Sequence, residues 1–185
     1  HEAFGLSPAE TNCPVEMNQM NPGLKEKIEN DEFIRGLKED FPSSETMSHA
    51  ARLIEYAVRN DEHLILSNPD QLLLNWTDEE YKLFRRLEQA RYGNKIQNGF
   101  SSVDDFIVMA NQVLNRRKSR AGKSLEHHLS AIFDGNHIRY TAQGTTEGNK
   151  KPDFIFPSIE EYHNQAFSIE NLCTLAAKTT CKDRW

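Results

Sequence analysis

Two residues in the last third of the chain have the chemistry to act on a phosphate. Asp153 stands in KPDFIF, between a proline and an apolar run, and Lys178 ends the run NLCTLAAK, 25 residues further on. That separation leaves room for a loop and a return, so neighbouring strands would bring the carboxylate and the ammonium together at one sheet edge. Strand alternation puts Asp153 with Ile155 on one face, and Lys178 with Ala176 and Thr174 on one face. A carboxylate so placed suits Mg²⁺, which takes hard oxygen ligands, polarises a phosphate and lowers the pKa of a bound water. The lysine would orient or deprotonate that water and offset developing charge. Spacing alone does not separate this reading from a plain surface ion pair.

A phosphate-directed site needs a positive surface. The formal net charge is −6, which argues against a polyanion partner, but distribution matters more than the total. No acid occurs from Phe106 to Leu125, and RRKSRAGK concentrates Arg116, Arg117, Lys118, Arg120 and Lys123. This is where a phosphate backbone could sit. A solvated helix end is the ordinary alternative, since cations also favour the C-terminal dipole.

The elements that must position these groups follow from periodicity. Met47, Ala50, Ala51 and Ile54 repeat at helical spacing after Pro42. TDEEYKLFRRLEQARYG places Thr77 and Glu80 in capping-box spacing and predicts a helix ending at Gly93. Residues 102–116 predict a further helix, with Ser101 or Ser102 as N-cap and Val103, Phe106, Ile107, Ala110, Val113 and Leu114 as its inward stripe. A separate helix is expected from Lys123 to Phe133, with Leu125, Leu129, Ile132 and Phe133 inward and Gly135 at its end. The period then changes: HIRYTAQG alternates, PDFIFP is a short apolar strand, and NLCTLAAKT reads as a buried strand. Helices leading into strands predict an α/β or α+β domain.

Cys13, Cys173 and Cys181 lack any CxxC spacing and read as free thiols. No run approaches the roughly 20 apolar residues of a membrane span, and no signal peptide opens the chain, so a soluble intracellular protein is expected. Starting at His1 and ending at Trp185, the sequence reads as part of a longer protein.

The segments NRRKSRAGKSLEHHLSAIFDGN, KKPDFIFPS and LAAKTTCKDRW, in that order over roughly residues 105–185, closely resemble the catalytic domain of EcoRII-type restriction endonucleases, members of the PD-(D/E)xK nuclease superfamily. The first hundred residues carry no comparable motif and are expected to form a mainly helical part of one domain, with residues 101–185 as the catalytic core. The resemblance implies an α/β restriction-endonuclease-like fold, a central mixed sheet flanked by helices. It also implies a homodimer in the prokaryotic cytoplasm that cleaves double-stranded DNA with Mg²⁺ at a short site flanked by CC and GG.

Carried over residue by residue, Asp153 is the metal-binding carboxylate, Lys178 the catalytic lysine, and Glu126 in SLEHH the helix glutamate that helps hold the metal. Tyr162 falls where the family has a tyrosine near the site. Lys182, Asp183 and Arg184 fall where it reads base edges: cations donate to guanine and an aspartate accepts from cytosine. Arg116, Arg117 and Arg120 resemble phosphate contacts or further base readers. One departure is plain: the superfamily's acid two residues before the lysine is Ala176 here, and the second carboxylate resembles one supplied beyond Trp185. His127, His128 and His163 lack ligand spacing and are expected in surface or packing roles. A repair nuclease on the same fold, or a DNA-binding module without metal chemistry, stays open beside the restriction enzyme.

Overall fold

Asn68 and Ser102 set the starts of the two long helices that carry the molecule. The structure, a computed structural model, describes residues 41–59 and 63–178. Helix α1 (Ser44–Arg59) begins where the Ser43 hydroxyl accepts from the Thr46 amide at 3.1 Å. Its Met47, Ala50, Ala51 and Ile54 are buried, as their spacing predicts. After the single turn α2 (Leu64–Ser67) comes α3 (Pro69–Asn98), then α4 (Val103–Gly135). Leu72 and Trp76 of α3 meet Tyr56, Ile65 and Ile132 in one core cluster that joins the four helices. Each such side chain contributes about 1.5–3 kcal/mol by leaving water.

Both long helices differ from their predicted bounds. The start of α3 lies at Pro69, with Asn68 Oδ1 accepting from the Gln71 amide at 3.3 Å, so Thr77 is no cap. Thr77 instead donates its hydroxyl to the Leu73 carbonyl at 2.7 Å, one turn back in the same helix. Gly93 lies inside α3, which closes at Gly99 with φ +80°.

The two helices expected on either side of the basic segment are one, α4, capped by Ser102. Nothing between Arg116 and Lys123 forbids a helix: no proline occurs, and a lone glycine weakens it by only about 1 kcal/mol. The stripe expected to face inward is largely in solvent. Val103 is 73% exposed, Phe106 52% and Leu114 49%, while Met109 is the buried residue of that half. Helical period fixed which residues share a face, but not what covers it.

Three short strands follow: β1 (Thr141–Ala142), β2 (Phe154–Phe156) and, after the one-turn helix α5 (Ile159–His163), β3 (Cys173–Leu175). Their order is β1-β2-β3, and both pairings among the described residues are antiparallel. Phe154 and Phe156 stand on the sheet face that meets the end of α4, with Phe133 edge-on to both at 5.1 and 5.2 Å between centroids. Phe154 and Ile155 are fully buried, so β2 is the strand that anchors the sheet. The run expected to bury β3 does not: Cys173 and Thr174 are exposed and Leu175 is half-buried, because β3 is an outer strand among the described residues. No helix among the described residues is long and apolar enough to cross a membrane.

Candidate active site

The register of the sheet decides which charges meet. Ile155 pairs with Thr174 and Phe154 with Leu175; one step outward, Asp153 lies opposite Ala176. Directly paired residues share a face, so Asp153 and Ile155 belong to the same face as Thr174 and Ala176. The side chain of Asp153 fixes this join, its Oδ2 accepting from the backbone N–H of Ala177 at 2.7 Å. Lys178 is the next residue and is exposed. The predicted meeting of the aspartate strand with the lysine strand is therefore present in the backbone.

A second carboxylate arrives from α4. Glu126 and Phe133 are seven residues apart, two helical turns, and so lie on one face. Phe133 packs on the sheet, which turns Glu126 towards the end of β1. There the side chain of Gln143 donates from one nitrogen to both acids, to Glu126 Oε2 at 3.0 Å and to Asp153 Oδ1 at 3.1 Å. Lys123, one turn before Glu126, donates to it at 3.0 Å. Gln143 was not singled out by sequence reasoning. Its only signal was a polar residue closing an alternating run, and its partners depend on the β1–β2 register.

Other expected site residues have different neighbours. The phenol of Tyr162, on α5, donates to Glu147 at 2.5 Å. This bond raises the tyrosine pKa and lowers that of the glutamate. Arg116 donates to the Tyr92 hydroxyl and lies over the Phe41 ring at 4.3 Å. Arg117 makes a two-point pair with Glu88, at 2.8 and 2.6 Å, which raises its pKa. Arg120 donates to the carbonyls of Pro42 and Ser43 and lies over Phe84 at 4.8 Å, its pKa lowered by burial. All three clasp α4 to α3 or to the segment leading into α1. Lys182, Asp183 and Arg184 lie outside the described residues.

His128 is fully buried against Glu80, and His127 approaches Ser44, so both have packing roles. No group of three or more His, Cys, Asp or Glu suited to a metal occurs among the described residues. The pair that does converge, Glu126 and Asp153, fits Mg²⁺ in kind. That ion is commonly held by one or two carboxylates and keeps several waters, and both acids here share the Gln143 amide as a donor, beside Lys123 on Glu126 and the Ala177 amide on Asp153.

Helices packed on an antiparallel sheet, with Asp153 just before β2 paired to the run that leads to Lys178, give a restriction-endonuclease-like fold. The structure of restriction endonuclease PspGI in complex with substrate DNA has the same fold, with a TM-score of 0.52 over 68% of this chain and 53% of that one, at 17% identity. Residues 84–185 match the family described as EcoRII C terminal, and the chain belongs to that family. Over 147 residues it is 50% identical to the type II restriction enzyme EcoRII of Escherichia coli, a match covering 78% of this chain and 34% of that protein. The chain thus spans about a third of the length of this relative.

Proposed function

We propose that this chain is the catalytic part of a sequence-specific type II restriction endonuclease that hydrolyses phosphodiester bonds of double-stranded DNA with Mg²⁺. The observation that carries the reading is the Asp153 carboxylate held by the Ala177 amide, one residue before Lys178, while Gln143 links it to Glu126. Half-identity to EcoRII across most of the chain supports it.

In this reading Asp153 and Glu126 hold the cation. Bound Mg²⁺ supplies the charge that polarises the phosphate and acidifies a water. Lys178, three residues past the end of β3, orients that water and offsets charge on the phosphate. Lys182, Asp183 and Arg184 read base edges of a site flanked by CC and GG. Arg116, Arg117 and Arg120 contact phosphates. Arg117 is the best placed of the three, being 42% exposed despite its pairing with Glu88. Tyr162, which donates to Glu147, is assigned to the site from the resemblance alone. A homodimer, each subunit cutting one strand, is supported by the exposed apolar residues Val103, Phe106, Ile107 and Leu114 on α4.

The test is plasmid cleavage by the full-length protein with Mg²⁺. Discrete fragments are expected from the wild type, and none from Asp153→Ala or Lys178→Ala, both of which still bind the plasmid. Normal cutting by either variant would remove the assignment of that residue. A mobility shift without cutting by the wild type would replace the enzyme with a DNA-binding module, and nicking confined to damaged DNA would replace it with a repair nuclease.

A further inference from the structure

We infer that Gln143 is a positioning residue for the cation site, holding Glu126 and Asp153 at a shared point before any cation arrives. The inference rests on the reading of those acids given above. Two carboxylates brought together repel, so a group that donates to both is needed to hold them at one point. Gln143 answers this with one NH₂ group, whose two hydrogens face one oxygen of each acid, at 3.0 and 3.1 Å. The orientation of the amide follows from its partners: ionised carboxylates only accept, so the nitrogen must face them. Being neutral, the amide adds no positive charge to that of Lys123, which pairs with Glu126 at 3.0 Å.

The backbone at Gln143 is held for this purpose. Its φ is +55°, a left-handed conformation that few residues other than glycine adopt. Its own N–H donates to the Asp153 carbonyl at 3.1 Å, which locks it to the residue whose side chain it also holds. Gly144 follows, where an added Cβ would come within 2.8 Å of Ile155, so the turn passes close to the buried strand. A glycine at 143 would suit the φ better than glutamine does. The long polar side chain at a strained position is what a positioning role explains and a turn role does not.

That contrast supplies the experiment. Mg²⁺ alone is titrated into the full-length protein by calorimetry, without DNA, and melting is followed with and without the ion. Gln143→Gly relieves the backbone and removes the amide. It is expected to melt no lower than wild type in the absence of cation and to bind Mg²⁺ about 10–100-fold more weakly, the range for loss of a group that orients metal ligands. Gln143→Glu puts a third carboxylate in the same place. It should melt below wild type without cation and show a larger rise on adding Mg²⁺. Wild-type affinity in Gln143→Gly, or wild-type melting behaviour in Gln143→Glu, would overturn the role of Gln143 while leaving the nuclease reading intact. A wild-type protein that neither takes up Mg²⁺ nor cuts DNA would overturn both.

Discussion

His128 shows how a single side chain settles the helical half of the molecule. It is 0% exposed, its Nε2 lies 2.9 Å from Glu80 Oε2, and its Nδ1 lies 3.3 Å from an Arg52 nitrogen. Burial lowers its pKa despite the carboxylate. The neutral ring therefore carries its proton on Nε2 and donates to Glu80, leaving Nδ1 to accept from Arg52. Ser124 also donates to Glu80, so one buried carboxylate collects donors from two turns of α4. In the sequence Glu80 looked like the partner of a capping threonine; only the true helix start, two turns earlier, frees it for the core. His128→Ala should destabilise the protein by about 2–4 kcal/mol, combining a cavity with a buried acceptor that loses a donor. Urea unfolding measures this, and a loss under about 1 kcal/mol would show that the Glu80 contact contributes little.

At the scale of elements, α4 is what joins the two halves. About 50 Å long at 1.5 Å per residue, it presents Ser124 and His128 to α3, and Glu126 and Phe133 to the sheet. Its existence was legible from the apolar repeat at either end, but its continuity was not. A dense basic run with a glycine resembles a connection, and the groups that stabilise it as helix are distant in sequence: Glu88, Tyr92 and the carbonyls of residues 42 and 43. Gly122 tests the point. A Cβ there would meet nothing within 4 Å, so Gly122→Ala should raise stability by roughly 0.5–1 kcal/mol, because alanine suits a helix interior and restricts the unfolded chain. Thermal unfolding of the variant checks it; no gain, or a loss, would mean that the glycine serves a bend the continuous helix lacks.

Across the whole molecule, the parts of the site that strand alternation governs could be read in advance. The pairing of the aspartate strand with the run that leads to Lys178 is such a part, and parity then puts Asp153 on the face of Thr174. The acid's attachment to the Ala177 amide and the bridge through Gln143 depend on register and on a left-handed turn, which no local pattern encodes. The exposed half of α4 was misread for a related reason, since apolar periodicity carries no information about the covering surface.

A global property that follows from the fold is its response to acid. His127 and His128 lie between α4 and α1, His49 is on α1, and burial, with Arg52 close by, lowers the pKa of each, that of His49 to about 4. In the unfolded chain they titrate near their ordinary value of about 6.5. Between these limits the unfolded state binds more protons than the folded one, so stability rises with pH. It is fully present above pH ~6.5 and is lost as pH falls towards the lowered values. For the buried His128 the slope approaches roughly 1.4 kcal/mol per pH unit, while His49 and His127, partly in solvent, contribute less. The urea midpoint should therefore be clearly lower at pH 5.0 than at pH 7.5, above the ordinary carboxylate range of about 3.9–4.3. Replacing the titrating ring in His128→Gln should flatten that difference even though the variant is less stable throughout. Equal midpoints at the two pH values would mean that these rings take up protons in the folded state as readily as in water, and the packing assigned to them here would be wrong.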